Sequence, residues 1–296
     1  MTFKSAMAVD GWRGAAVCGG IVLLIVLLLA WLTSRPISGL SFVLAVLILV
    51  AIPLLAYLGF RTLSSLSMQY WVDRDGVTVV WGPMREIIPM GSIARIQRGG
   101  FASLRGRWWE WPNPYLTEGA AGGLDHVYSL ATQPADAQVV LMTNQAAYAL
   151  SPRRPDEFIA ALQARHKLGP ARLLKPERHW PSPWQWGIWR DRLGLALLGL
   201  AALLNLLLFG YLCFRYPQLS ANLALHFDAQ GQPDRFGSPA SLFVLPLIGL
   251  GTLVLNGLWG AALYRQRRVA TYLLWGGALA VQALVAVALI NLVRGA

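Results

Sequence analysis

Charge is scarce in this chain. Only 13% of its 296 residues are Asp, Glu, Lys or Arg, about half the share usual in soluble domains. With 56% hydrophobic residues and a mean hydropathy of +0.49, that scarcity excludes a wholly water-soluble chain. Cysteine is scarcer still: Cys18 and Cys213 are the full complement. Both fall in apolar runs, which argues against a disulfide framework or a cysteine metal knot and leaves them as packing residues. No G-x-x-x-x-G-K-[ST] or G-x-G-x-x-G follows a strand, so Gly99-Gly100 and Gly122-Gly123 read as loop glycines rather than a nucleotide cradle. His126, His166 and His179 stand apart, with no Ser or Cys in a nucleophile motif. Ionisable residues are missing from the depth of the three C-terminal apolar runs, against a proton-driven transporter or ion pathway. No catalytic residue, cofactor or metal is expected, and the chain reads as a non-enzyme.

What is present is lipid-compatible length. Runs of 18 to 20 apolar residues cross a hydrocarbon core of about 30 Å as helix, because every backbone amide must find its partner within the segment. Five such runs are predicted: Ala15–Leu32, Leu40–Phe60 with Pro53 as an expected kink, Leu193–Phe214, Leu242–Leu263 and Tyr272–Val293. A secretory signal is the competing reading of the first. That run continues without an A-x-A cleavage site and a second span follows closely, so it reads as a retained span. Asn205, Asn256, Gln282 and Asn291 are amides inside spans, expected to bond between helices.

The net charge of +11 invites a nucleic-acid reading, but the cations flank spans. With a cytoplasmic N-terminus, Lys4, Arg13, Arg61, Arg190, Arg192, Arg265, Arg267 and Arg268 lie inside, and only Arg35, Arg215, Arg235 and Arg294 outside. This predicts a bacterial inner-membrane protein with its polar block in the cytoplasm, bilayer contact, an unidentified protein partner, and no nucleic acid.

That polar block, Met68 to Lys167, is the one long stretch able to fold in water. Tyr70-Trp71-Val72 and Val77–Trp81 flank Asp73-Arg74-Asp75-Gly76, a hairpin signal. Further strands are predicted at Arg85–Pro89, Ala94–Gln97, His126–Ala131, Val139–Thr143 and Tyr148–Leu150, with Gly99 to Gly123 as a long ordered loop. A helix opens after Ser151-Pro152-Arg153-Arg154-Pro155-Asp156-Glu157, has Phe158, Ile159 and Leu162 on its apolar face, and stops near Gly169-Pro170. About six strands closed by one helix predict a partly open antiparallel β-barrel whose end the helix plugs. The stretches Tyr70–Val77, Ile88–Ile93 and Tyr148–Leu162 resemble the bacterial pleckstrin-homology-like (PH-like) domains of membrane-anchored proteins. The resemblance covers about a third of the chain and implies a binding or assembly module.

Between spans 3 and 4 the pattern His226-Phe227-Asp228-x-x-Gly231-x-Pro233-Asp234-Arg235-x-Gly237-Ser238 resembles the loop of a bacterial membrane domain of unknown function. That domain is also found at the start of SdpI-type immunity proteins for a toxic peptide. Its members often carry a lysine after the Gly-Ser pair, where this chain has Pro239, so no role of that lysine carries over. Three readings of the loop stand: a rigid cap whose Asp228 and Gly231 make a tight turn; a ligand or partner site of His226, Asp228, Gly231, Asp234 and Arg235; and a metal site, which one His and two Asp support weakly.

Arg105-Gly106-Arg107-Trp108-Trp109-Glu110-Trp111 interleaves bases and indoles. Arg105 and Arg107 facing anionic headgroups, with Trp108, Trp109 and Trp111 at the interface, is the membrane-contact reading. Loop packing, a protein partner and base stacking are the others. Trp180, Trp184, Trp186 and Trp189 read as an interfacial collar. The expected organisation is an N-terminal transmembrane hairpin (1–61), a PH-like domain (62–170), a Trp- and Pro-rich linker (171–192) and a three-span domain (193–296) with an external loop (215–240). The function expected is a scaffold or binding protein, with an accessory subunit of a larger membrane complex as alternative.

Overall fold

The structure, a computed structural model, describes residues 1–101, 104, 106–172, 174–179, 187–227 and 233–294. It divides into two compact units, residues 1–26 with 50–185 and residues 27–49 with 186–296. The helices are α1 (Val9–Thr33), α2 (Gly39–Leu66), α3 (Pro155–Leu168), α4 (Arg192–Arg215), α5 (Val244–Leu263) and α6 (Arg268–Arg294). All but α3 are long and apolar enough to cross a membrane, matching the five predicted runs. Pro53 sits inside an uninterrupted α2. Pro246 lies in the first turn of α5, where a missing N–H costs nothing because such groups have no helical partner.

In the first unit, β1 (Thr2–Lys4), β2 (Gln69–Val72), β3 (Gly76–Trp81), β4 (Met84–Pro89) and β10 (Glu177–His179) form one sheet in that order. The second sheet has the order β5 (Ile93–Arg98), β8 (Val139–Thr143), β9 (Ala147–Leu150), β7 (Leu124–Leu130) and β6 (Leu116–Ala121). Four features depart from expectation. The second sheet is mixed, because β7 and β9 run parallel. The expected loop over Gly99 to Gly123 contains β6, whose Leu-Thr-Glu-Gly-Ala-Ala sequence has little strand propensity and is held by its ladder to β7. Residues 2–4, too few to show a period, pair with β2 and bring the start of the chain into the PH-like domain. The front of the expected linker, Glu177-Arg178-His179, pairs with β4; three polar residues carry no hydrophobic signal.

Both sheets and α3 share one core. Tyr70, Val77, Val79 and Ile88 from the first sheet meet Leu141 and Leu150 from the second and Phe158 and Leu162 from α3, all nearly or fully inaccessible. Each contributes about 1.5–3 kcal/mol on burial. Helix α3 begins with Pro155, Asp156 and Glu157 in its first turn and ends at Gly169 with φ +66°, the left-handed conformation that suits glycine. The Tyr70 hydroxyl donates to the Leu130 carbonyl (2.9 Å) and accepts the Ser151 N–H (3.0 Å), joining the sheets at a point where an unpaired hydroxyl would be costly.

In the second unit α4, α5 and α6 form a bundle. Its centre holds a polar clasp: Asn205 Nδ2 donates to Gln282 Oε1 (3.0 Å) and to the Pro246 carbonyl (2.9 Å), and Gln282 Nε2 donates to the Gly249 carbonyl (2.7 Å). A Cβ at Gly249 would collide with Gln282 Oε1 and stand 2.9 Å from Asn205 Nδ2, so the clasp requires glycine there. Asn256 donates to the Leu274 carbonyl (3.1 Å), whereas Asn291 lies exposed rather than between helices. Asp191 caps α4 through the Gly194 N–H (3.0 Å) and accepts the hydroxyls of Tyr264 (2.9 Å) and Tyr272 (2.6 Å). A hairpin of β11 (Leu223–Phe227) and β12 (Pro233–Gly237) joins α4 to α5, anchored by Leu223 among Leu212, Leu242 and Leu289.

Replacing Gln282 by Leu is expected to lower the stability of the detergent-solubilised chain by about 1 kcal/mol, the scale of an interhelical bond in a membrane bundle. Gly249→Val should cost more, because it displaces both amides. Thermal melts compare them, and an unchanged melt for Gly249→Val would contradict the clasp.

Candidate functional site

The Arg- and Trp-rich loop is tied to the membrane hairpin. Arg61 lies on α2 five residues from its end, in a helix of membrane-spanning length, and is only 9% exposed. Its guanidinium donates to the carbonyls of Glu110, Asn113 (2.5 Å) and Leu116 (3.4 Å). One turn earlier, the Tyr57 hydroxyl donates to the Trp109 carbonyl (2.5 Å). Pro112 packs on α1, where a Cβ at Gly14 would stand 2.6 Å from its ring and 2.5 Å from Thr62 Oγ1. Small residues are what allow such close approach.

The loop's own bonds set the indoles outward. Glu110 Oε2 accepts the Arg107 N–H (2.9 Å), closing one helical turn over Trp108–Glu110. Trp108 is 84% exposed and meets Trp109 edge to face at 5.5 Å. The Arg107 guanidinium lies over the Trp109 ring at 5.3 Å. Trp111 is half-buried. Of the predicted contact residues, Arg107, Trp108, Trp109 and Trp111 therefore come together, while Arg105 lies outside the described residues.

A second site was not predicted. Glu86 on β4 is 4% exposed, and Arg178 on β10 bonds its carboxylate, then reaches Glu118 on β6 (2.9 Å). Arg178 also covers the Tyr128 ring at 4.2 Å, and Tyr128 stacks on Tyr148 at 5.3 Å. This cluster forms the wall of an open cleft of about 620 Å³ that also takes in Ser92, His126, Asn144, Gln145 and Arg172. Burial pushes the Glu86 carboxyl above its ordinary value, and its hydrogen bond from Arg178 pulls it partly back. Burial, followed by the charge of Glu86, pushes the Tyr148 hydroxyl up to about 12. One sequence signal could have found Glu86. In a strand of period two it shares parity with Met84 and Ile88, so a carboxylate falls on the inward face. Arg178 carried no such mark, since its strand exists only by pairing with β4.

The loop between α4 and α5 is partly placed. On the β11–β12 hairpin His226 is the cross-strand partner of Arg235, with irregular register on both sides, and Asp234 follows Pro233 on β12. Asp228 and Gly231 lie outside the described residues, as do Trp180, Trp184 and Trp186 of the predicted collar; Trp189 is 61% exposed.

These features define a multi-pass membrane protein with an inserted PH-like domain and a three-helix C-terminal bundle. Residues 68–166 match the family model described as Bacterial PH domain, and residues 203–250 match Domain of unknown function (DUF1648). The chain fits a membrane protein that joins these two domains. An uncharacterized protein of Archaeoglobus fulgidus is 44% identical over 55 residues, 19% of this chain and 30% of that protein; the match thus spans less than a third of the relative. No solved structure matches the chain.

Arg178→Ala leaves a buried carboxylate without its partner, an expected loss of about 3 kcal/mol. Because the Glu86 carboxyl titrates above its ordinary 4.5 in the folded chain, its contribution is full below that value and is lost as pH rises through the raised one. Removing Arg178 takes away the hydrogen bond and charge that pull this carboxyl down, so it stays protonated to higher pH in the variant. The variant should lose more melting temperature at pH 8 than at pH 5, and an equal loss at both would contradict the assignment.

Proposed function

We propose that the protein is a non-enzymatic, membrane-anchored binding or scaffold protein of the bacterial inner membrane. Its PH-like domain lies in the cytoplasm, rests on the inner leaflet through Arg107 and the Trp108–Trp111 loop, and offers the Glu86–Arg178 cleft to a protein partner. The external loop carrying His226, Asp228, Gly231, Asp234 and Arg235 recognises a ligand or peptide. The observation that carries this reading is the exposed Trp108 on a loop bonded to Tyr57 and Arg61. These are membrane-helix residues nine and five positions from the end of α2, so about 8–14 Å from it along the axis at ~1.5 Å per residue. An indole held at that depth sits where the interface accepts an aromatic ring with a wet N–H. The cytoplasmic placement rests on the excess of flanking Arg and Lys on that side.

The alternative, an accessory subunit of a larger membrane complex, is favoured by one observation. Gly199, Gly251 and Gly276, one on each helix of the C-terminal bundle, have no atom within 4 Å of where a Cβ would stand.

The leaflet contact is tested with the full chain in proteoliposomes. With Cys18 and Cys213 replaced by Ala, Trp108→Cys and Gln145→Cys each carry a fluorescent thiol label, and the vesicles contain headgroup-spin-labelled lipid. Strong quenching at position 108 and weak quenching at 145 in the cleft are expected; equal quenching would reject membrane contact by the loop.

A further inference from the structure

A groove of about 610 Å³ runs along the second unit between the N-terminal half of α2 and the C-terminal half of α4, within the size range that holds a small ligand. Phe214 fills the space over Gly39 and Phe42 that over Gly210, so the helices touch at these points and part elsewhere. The α2 wall extends from Ser41 to Leu49, a rise of about 12 Å, and the α4 wall from Leu206 to Cys213, a rise of about 10 Å. A single leaflet's hydrocarbon is about 15 Å deep, half of ~30 Å. The groove is therefore one leaflet long.

Its two ends differ in chemistry. Most of the lining is apolar and none of it is acidic, while Arg35, Thr33 and Ser41 gather at the end beside the α1–α2 turn. Arg35 is exposed and lies over Trp31 at 5.3 Å; among the described residues it makes no ion pair. A guanidinium stays charged at any physiological pH and fits phosphate with two parallel donors. Along the rest of the groove, at the depth of membrane-spanning helices, the surrounding medium is lipid tails. An apolar slot one leaflet long with a fixed cation at its headgroup end is complementary to one molecule, a phospholipid of net negative charge.

We propose that the groove between α2 and α4 binds one acyl chain of an anionic phospholipid whose phosphate is held at Arg35.

The test uses the full-length chain in mild detergent with equal amounts of palmitoyl-oleoyl phosphatidylglycerol and phosphatidylethanolamine, read by native mass spectrometry. The wild type is expected to retain the anionic lipid about fivefold more than the zwitterionic one, the scale of one interfacial cation. Arg35→Gln should bring that ratio close to one. Ala45→Trp, at an exposed lining position, fills the slot with a ring and should abolish retention of both lipids, with unchanged sizing as the check on folding. Equal retention by the wild type, or an unchanged ratio in Arg35→Gln, overturns the proposal. So does unchanged retention in a folded Ala45→Trp, which would place the lipid elsewhere on the surface. Should Ala45→Trp fail to fold, the exposed Arg35→Gln still decides the matter.

Discussion

A guanidinium buried near the end of a membrane helix has to be answered by something, and in this chain the answer organises the region around it. Removing an unpaired charge from water costs several kcal/mol. Arg61, 9% exposed, meets that cost with the carbonyls of Glu110, Asn113 and Leu116. Three carbonyls spread over seven residues can converge on one guanidinium only if the backbone between them curls around it. That curl brings Pro112 onto Gly14 of α1, turns Trp108 outward, and delivers Leu116 to the start of β6, where the ladder to β7 takes over. A stretch with no regular period thereby becomes fixed in place.

A second, half-buried ion lines the cleft of the domain. Arg178 arrives on a three-residue strand, pairs with Glu86 within its own sheet and with Glu118 on the other, and so links the sheets across their open side. The two arginines act alike, each bonding polar groups of the chain at the edge of the hydrophobic core, and each marks a different surface feature of the domain. One surface carries the exposed indoles beside the membrane hairpin; the other is the polar cleft. In the proposed reading the first meets lipid and the second meets a partner, which accords with a domain that has a core, a cleft and an anchor. The C-terminal bundle follows the same rule in an apolar setting, where Asn205, Gln282 and the Gly249 carbonyl satisfy one another.

Much of this was legible in the sequence. Spans of 18 or more apolar residues have few alternative fates, and all five appear as helices. The β-branched run Val77–Trp81 after the Asp73–Gly76 turn and the stop at Gly169 located β3 and the end of α3. What escaped were elements whose existence depends on a partner: β1 and β10, too short for a period, and β6, whose Gly-Ala-Ala end has no strand preference of its own. The site divides in the same way. Trp108 and Trp109 were visible by composition, whereas Arg61 read only as a charge marking orientation. Its role emerges when the chain folds the loop against it, and no local pattern encodes that approach. Glu86 was within reach through its parity with Met84 and Ile88; Arg178 was not.

The central claim is that Arg61 holds the tryptophan loop to the membrane hairpin. Hydrogen–deuterium exchange on the full chain in lipid nanodiscs, comparing wild type with Arg61→Gln, tests it most directly. The account predicts that amides of residues 107–116 lose protection in the variant while those of β3, β8 and β9 keep theirs. Unchanged protection across 107–116 would contradict it.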